Sequence, residues 1–283
     1  MEKVTDWIAL WRVLVEKNEP LWNCKQRSEA NRDKWKNRAK SFYTRFRERW
    51  SKSDPIRDLI VSMISSVKDA TVLDIGAGTG AWAVLLSKSA GKVTAIEPSA
   101  DMRQILSENL KNEGIDNVEI LDEFWPVSGI EPHDFSLSCH SVYDCEDLRS
   151  FVSAMSEATR HTCFMLLRAP DHNGLMAKAA NRIWGQPYDS PNFQVAYNAM
   201  LQMGMFPNVL MEEKGKWPGW INTNLEEALD LIKSSFGIEK VSEHDPFLRD
   251  LLKKKLKEED GKVRWPSEVR TGLVYWETKK KQD

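Results

Sequence analysis

The hydrophobic and polar positions of this chain change their period as it proceeds. Near the start, Trp7, Leu10, Trp11 and Leu14 recur at i, i+3, i+4 and i+7, and the stripe predicts a helix that ends before Pro20. Trp35, Ala39, Phe42, Phe46 and Trp50 repeat the spacing among lysines and arginines, which predicts a second helical segment. Stripes this aromatic do not stay in water, so they should pack on the following domain or, failing that, on a second copy of the chain. From about residue 70 short apolar runs alternate with helix-like stretches: "TVLDIG", "AWAVLLSKSAG", "KVTAIEPS", "ADMRQILSENLKNEG", "NVEILDE", "DFSLSCH", "CEDLRSFVSAMSEATR" and "HTCFMLLRAP". Strands of roughly five residues between helices of roughly 10 to 15 are the mark of βαβ units.

Five strands and four crossovers between about 70 and 170 predict the α/β class, with a doubly wound, mostly parallel sheet. Beyond Pro170 the pattern loosens into a helix in "DHNGLMAKAANRIWGQPYDSP", another in "NFQVAYNAMLQMG" and a strand in "FPNVLMEEK". "NTNLEEALDLIKSSFG" reads as a helix capped by Asn222 or Asn224 and stopped at Gly237, and "TGLVYWET" as a closing strand. Strands near 208–213 and 271–277, with helices between them, complete seven strands through an antiparallel C-terminal edge hairpin carrying a helical lid insertion. The expected organisation is an N-terminal helical cap over 1–57, a ligand-binding core over 58–170 and, over 171–283, the rest of the sheet with its lid, all acting as one catalytic unit.

Composition narrows the class. With 283 residues, 41% of them hydrophobic, the chain can bury the core of one large α/β domain with appendages. No apolar run approaches the roughly 18 residues that span a bilayer, and "MEKVTDWIALWRVLVEKNEP" lacks the basic end, apolar block and small-residue cleavage site of a secretory signal. The expectation is a cytoplasmic protein with no membrane partner. Four cysteines without a CxxC pair point to reduced thiols. A net charge of −2 argues against nucleic acid as a partner. Residues 1–57 nevertheless carry 15 Lys or Arg against 8 Asp or Glu, and such a region is either a solvated helical face or a surface for an anionic partner.

The chemistry concentrates at "TVLDIGAGTGAW". Glycines at a strand-to-helix turn let a ligand approach the backbone, and the following helix offers N–H groups with a partial positive end. Gly76, Gly78 and Ala81 satisfy the GxGxx(G/A) spacing of a dinucleotide fold, with Glu97 about 20 residues on as a ribose ligand. Asp74 separates the possibilities. A dinucleotide loop cradles a pyrophosphate, which a carboxylate in the turn would repel, whereas S-adenosylmethionine carries an ammonium, a sulfonium and no phosphate.

The stretch "VLDIGAGTG" resembles the first motif of the class I, Rossmann-like S-adenosylmethionine-dependent methyltransferases, and "VTAIEPS" resembles their second. The resemblance covers about residues 70 to 170 and implies that 58–170 is the S-adenosylmethionine-binding core. It further implies that Asp74, Gly76, Ala77, Gly78 and Gly80 line the methionine end, that Glu97 grips the ribose, and that Pro98 and Ser99 lie beside the adenine. Asp122 or Glu123 would contact the adenine amino group, with Phe124 and Trp125 as stacking candidates. "WKNRAKSFYTRF" is similar to a segment that many of these enzymes fold over the cofactor, which makes Trp35, Arg38, Phe42 and Tyr43 candidates. Arg38 would pair with the methionine carboxylate or remain an exposed helix arginine.

Methyl transfer is an in-line displacement at a carbon already activated by the sulfonium, so the protein mainly places two atoms on one axis. Ligands of open α/β sheets sit outside the carboxyl ends of the strands, so "SCHSVYDCED" should face the methyl group, with His140, Tyr143 and Asp144 as catalytic candidates and His140 also beside the cofactor. Cys139, His140, Asp144 and Cys145 do not make a metal site, because strand alternation sends the first two to opposite faces and no zinc spacing occurs elsewhere. Trp184, Trp217, Trp220, Trp265 and Trp276 fall in the lid region, as core or as an aromatic substrate chamber, with core the weightier reading. "NRIWGQPYDSP" suits a substrate-facing loop. The first hypothesis is a methyltransferase for a small-molecule acceptor. A methyltransferase for protein or RNA comes second, and a non-catalytic or nicotinamide-binding protein third.

Overall fold

Apolar runs too short for helices become strands, and the amphipathic stretches between them become helices packed on the sheet. The computed structural model describes residues 5–22, 50–217, 219–238 and 241–278. In chain order the elements begin with α1 (Trp7–Trp22), α2 (Pro55–Ser65), β1 (Thr71–Ile75), α3 (Ala81–Leu86), β2 (Lys92–Ile96), α4 (Ala100–Glu113), β3 (Val118–Leu121) and β4 (His133–Cys139). They continue with α5 (Leu148–Glu157), β5 (Thr159–Pro170), α6 (Leu175–Trp184), α7 (Phe193–Gln202), β6 (Asn208–Met211) and β7 (Ile221–Asn222). The last are α8 (Leu225–Ser235), α9 (Asp245–Lys255), β8 (Lys257–Glu259), β9 (Lys262–Arg264) and β10 (Val269–Glu277).

Among the described residues seven strands form one sheet in the order β3-β2-β1-β4-β5-β10-β6. β1 to β5 pair in parallel, while β10 runs antiparallel between β5 and β6. The strand order reverses between β1 and β4, so a crevice opens outside their carboxyl ends. The last strand of the expected hairpin therefore inserts beside β5 and leaves β6 at the edge. The crossover from β3 to β4 contains no helix and runs as loop through Trp125 and Pro126.

Alternation along each strand divides the core. Leu73, Ile75, Met165, Leu167 and Val274 face α1, α5 and α7, whereas Val72, Phe135, Leu137, Phe164, Leu166 and Leu273 face α2 and α3. Caps fix where the helices begin: Asp54 accepts from the N–H groups of Ile56 and Arg57, Ser99 accepts from Met102, and Asn224, rather than Asn222, accepts from Glu227. The insertion between β6 and β10 contains α8, α9 and a three-stranded sheet in the order β7-β9-β8. Its core joins Leu229, Ile232, Leu248, Leu252 and Trp265 to Leu175 and Ala179 of α6. Trp265 and Trp276 are buried core residues, and Trp184 packs edge-on against Phe236 at 4.7 Å. Among the described residues no helix is long and apolar enough to cross a membrane.

The first aromatic stripe packs within the chain. Trp11 and Leu14 are wholly buried against α5 and α7, and the Trp11 indole N–H donates to the Cys145 carbonyl at 2.8 Å. Asp6 caps the helix by accepting from Ala9, and Gln202 bridges Asp6 to the Trp7 N–H. The helix runs on to Trp22, past the stop expected before Pro20. Pro20 has no N–H to give the Glu16 carbonyl, and only two helical residues follow it. Trp35, Ala39, Phe42 and Phe46 lie outside the described residues, while Trp50 rests edge-on against Trp82 with ring centroids 5.3 Å apart.

Because Trp11 combines full burial with a hydrogen bond, Trp11→Ala should cost about 3–5 kcal/mol in denaturant unfolding. A loss below about 1 kcal/mol would mean that α1 is not part of the cooperative core.

Candidate functional site at the carboxyl edge of the sheet

From β1 the chain turns through Gly76, Gly78 and Gly80, all with left-handed φ, into α3. A Cβ on Gly76 would lie 2.3 Å from the Ser141 Cβ, so packing alone requires glycine there. Gly78, at φ +57, has nothing within 4 Å of the same position. Its bare backbone faces open space, as expected where a ligand touches the main chain. The loop is held from below. Gly76 and Ala77 donate to the Ile96 carbonyl at 2.8 and 3.0 Å, Asn109 donates to the Thr79 carbonyl at 2.9 Å, and Ser141 donates to the Ile75 carbonyl at 2.7 Å.

Asp74, one residue before the end of β1, is 1% exposed, and its Oδ2 is buried without a hydrogen-bond partner. Burial, with help from the nearby Glu97, pushes its pKa up to about 7, against the pull of the Ala83 N–H. A carboxyl that served only as a cap would not leave a buried oxygen unsatisfied, since that costs roughly 1–3 kcal/mol. At the end of β2, Glu97 accepts from the N–H groups of Gly78 and Ser99, each at 2.8 Å. Burial also raises its pKa and the Asp144 charge adds to that, while Ser99, Gly78 and Arg103 pull it back. Each of its oxygens keeps a second lone pair for a further donor.

Pro98 is half-buried and Ser99 caps α4. Arg103 donates to the Glu97 carbonyl at 2.8 Å and to Asp122 at 2.6 Å, which ties the exposed Asp122 to the end of β2. Glu123 is exposed and Phe124 half-buried. Trp125 turns toward α5, donating to the Phe151 carbonyl at 3.3 Å and packing edge-on against that ring. Trp35, Arg38 and Tyr43 lie outside the described residues.

β4 is followed directly by His140, a non-glycine residue at φ +55, a conformation that costs of order 1–3 kcal/mol and collects at functional sites. Its N–H donates to the Leu166 carbonyl, and its Nδ1 lies 2.8 Å from the Tyr143 hydroxyl. That hydroxyl also accepts from the Arg168 N–H, and burial pushes the phenol pKa well above its usual value. Trp217 meets the His140 ring edge-on at 5.8 Å, and its indole N–H donates to Thr271 Oγ1 at 3.0 Å. Asp144 is exposed. Among the described residues no group of three or more His, Cys, Asp or Glu side chains is placed to hold a metal ion.

Residues 72–162 match the model of a methyltransferase domain. Over 57 residues, 20% of this chain, the sequence is 40% identical to the ribosomal RNA small subunit methyltransferase A of Mesoplasma florum, and over 71 residues, 24% of this chain, 38% identical to the release factor glutamine methyltransferase of Shewanella oneidensis. These stretches span 21% and 24% of the respective relatives. The fold is similar to that of the YcgJ protein of Bacillus subtilis, with a TM-score of 0.52 at 12% identity, covering 79% of this chain and 98% of that one. Residues 72–162 are a methyltransferase domain.

The residues present fit S-adenosylmethionine, the cofactor that the sequence motifs imply for a methyltransferase domain. Asp74 has a buried oxygen to spare for a cation, Glu97 has lone pairs to spare for hydroxyls, and Gly78 leaves the backbone bare between them. The motif residues stand together around one crevice, with His140 and Tyr143 at its β4 side. The buttresses Ser141 and Asn109 had no signal in the sequence. Trp217 was visible only as one tryptophan among several, and Arg168 only as a lone charge closing an apolar strand.

The raised pKa of Asp74 has a definite sign in stability. Between about pH 4 and 7 the native state holds a proton that the unfolded chain has released, so this residue's contribution falls as pH rises and levels off above about 7. Asp74→Asn should therefore stabilise the cofactor-free protein increasingly from pH 4 to 7, measured as the difference from wild type in urea unfolding. A difference that does not vary with pH would show that the carboxyl is not buried as described.

Proposed function

We propose that the chain transfers the methyl group of S-adenosylmethionine to a small-molecule acceptor. The observation that supports this reading is the aromatic contact at His140. Trp217, anchored to Thr271, stands edge-on against the His140 ring, so an aromatic side chain from the inserted segment stands where an acceptor would approach. In this reading Asp74 holds the ammonium, Glu97 the ribose hydroxyls, Gly76, Ala77, Gly78 and Gly80 the methionine end, and Pro98 and Ser99 flank the adenine. When bound, the cofactor supplies a methyl group on an electrophilic sulfonium.

The chain's own contribution is placement and exclusion of water. His140 projects from the strained end of β4, and Tyr143 fixes its ring. Because burial keeps the phenol protonated, Tyr143 acts by positioning and is not a base. The charge of Asp144 lies close enough to raise the Glu97 pKa, so it stands on the cofactor side of the turn. α1 and the insertion before β10 serve as caps on a single catalytic unit.

S-adenosylhomocysteine should raise the melting temperature, by the equivalent of about 2.7 kcal/mol at a hundredfold excess over Kd, and nicotinamide dinucleotides should not. Asp74→Ala should abolish that shift, and its survival would sink the assignment of the ammonium site. With methyl-labelled cofactor and a cell extract, label should appear in the low-mass fraction; label in protein or RNA would overturn the small-molecule reading and favour the activities named for the curated relatives. Tyr143→Phe should slow turnover about tenfold with unchanged S-adenosylhomocysteine affinity. Loss of cofactor affinity in that variant would place Tyr143 in the cofactor site instead.

A further inference from the structure

Arg168 closes the apolar run of β5 two residues before its end. Its Cα partner in β10 is Thr271, and both continue the face formed by Phe164, Leu166 and Leu273. Near the carboxyl edge a guanidinium interrupts that apolar face. Its Nη2 donates to Asp189 Oδ2 at 2.7 Å and to Ser190 Oγ, which occupies both protons of that nitrogen. Its backbone N–H donates to the Tyr143 hydroxyl, the same group that holds His140. The two protons of Nη1 and the Nε–H make no hydrogen bond among the described residues, and the side chain remains 28% exposed. Burial works against the charge, and Asp189 more than restores it.

A guanidinium pinned through one nitrogen and open at the other two is an oriented set of donors. Its neighbours limit what the donors can meet. Thr271, opposite in the ladder, carries the Trp217 indole, and Trp217 in turn meets the His140 ring. Ladder, hydrogen bonds and ring contact therefore bring a fixed cation and two aromatic rings together at the strand ends, at the place the proposed function gives to the acceptor. We infer that Arg168 is the acceptor-binding residue and that it holds the carboxylate of an aromatic acid whose ring lies against Trp217. This rests on the methyltransferase reading. Asp189 and Ser190 act as positioning residues that aim the guanidinium.

The test uses the full chain and thermal melting with benzoate, nicotinate and indole-3-carboxylate as probes, each beside its amide at equal ionic strength. In protein saturated with S-adenosylhomocysteine, at least one carboxylate should raise the melting temperature by about 2 °C or more beyond its amide. Arg168→Gln and Arg168→Lys should lose that difference and keep the S-adenosylhomocysteine shift. Arg168→Lys leaves Asp189 a cationic partner, so it remains informative if Arg168→Gln does not fold. Equal shifts from each carboxylate and its amide, or a carboxylate shift that survives in Arg168→Lys, would overturn the inference. If S-adenosylhomocysteine itself gives no shift in the wild type, the methyltransferase reading fails, and the same series run without it still decides for or against Arg168.

Discussion

A carboxylate enclosed at the carboxyl end of β1 sets the terms for everything near it. Asp74 keeps one buried oxygen without a partner, and the walls that enclose it are the glycine loop, the first turn of α3 and the neighbouring Glu97. Enclosing a charge in this way is unfavourable without a cationic partner, and burial raises the carboxyl's pKa accordingly. The surrounding hydrogen bonds prevent the loop from relaxing toward the carboxylate. Ile96 holds the start of the turn, Asn109 its middle and Ser141 the end of the strand. The fold thus prevents the easy escape of rearranging the loop around Asp74.

The β4–β10 side of the strand ends is organised differently, through a relay of neutral contacts rather than a stored charge. His140, Tyr143, the Arg168 backbone, Thr271 and Trp217 connect β4, β5, β10 and the chain beyond β6. Four separate segments meet within one layer at the strand ends. Precision at such a site comes from the sheet itself, because Arg168 and Thr271 share a ladder rung and His140 directly follows the last rung of β4, while Tyr143 and Trp217 are tied to these residues by hydrogen bonds.

Much of the scaffold was legible in sequence because its signals are local. The switch from helical to short apolar periods located β1 to β5, and the ordered pair of Asp74 and Glu97 separated one nucleotide-like ligand from another. Long-range placement was not legible. Nothing in the spacing of Ser141 shows that its side chain lies under Gly76, and nothing in "MLLRAP" shows that Arg168 shares a ladder rung with Thr271. Pro20 misled for another reason: it removes one intrahelical hydrogen bond, yet the backbone continues helically for two residues beyond it. The β3–β4 crossover lacked a helix because its residues, among them Pro126 and Gly129, suit turns.

The insertion before β10 leaves and re-enters the sheet at a single point. The Glu212 N–H donates to the Thr271 carbonyl, and the Thr271 N–H donates back to the Glu212 carboxylate. This two-bond neck closes a loop of more than fifty residues, and its ends stay fixed whatever lies between them. For long loops the entropy of closure grows only slowly with length. The segment can therefore be lengthened, shortened or exchanged at modest cost to the sheet, while Asp74 and Glu97 remain untouched on the far side of β4. Trp217 and the rest of the inserted segment can thus diverge without disturbing the glycine loop.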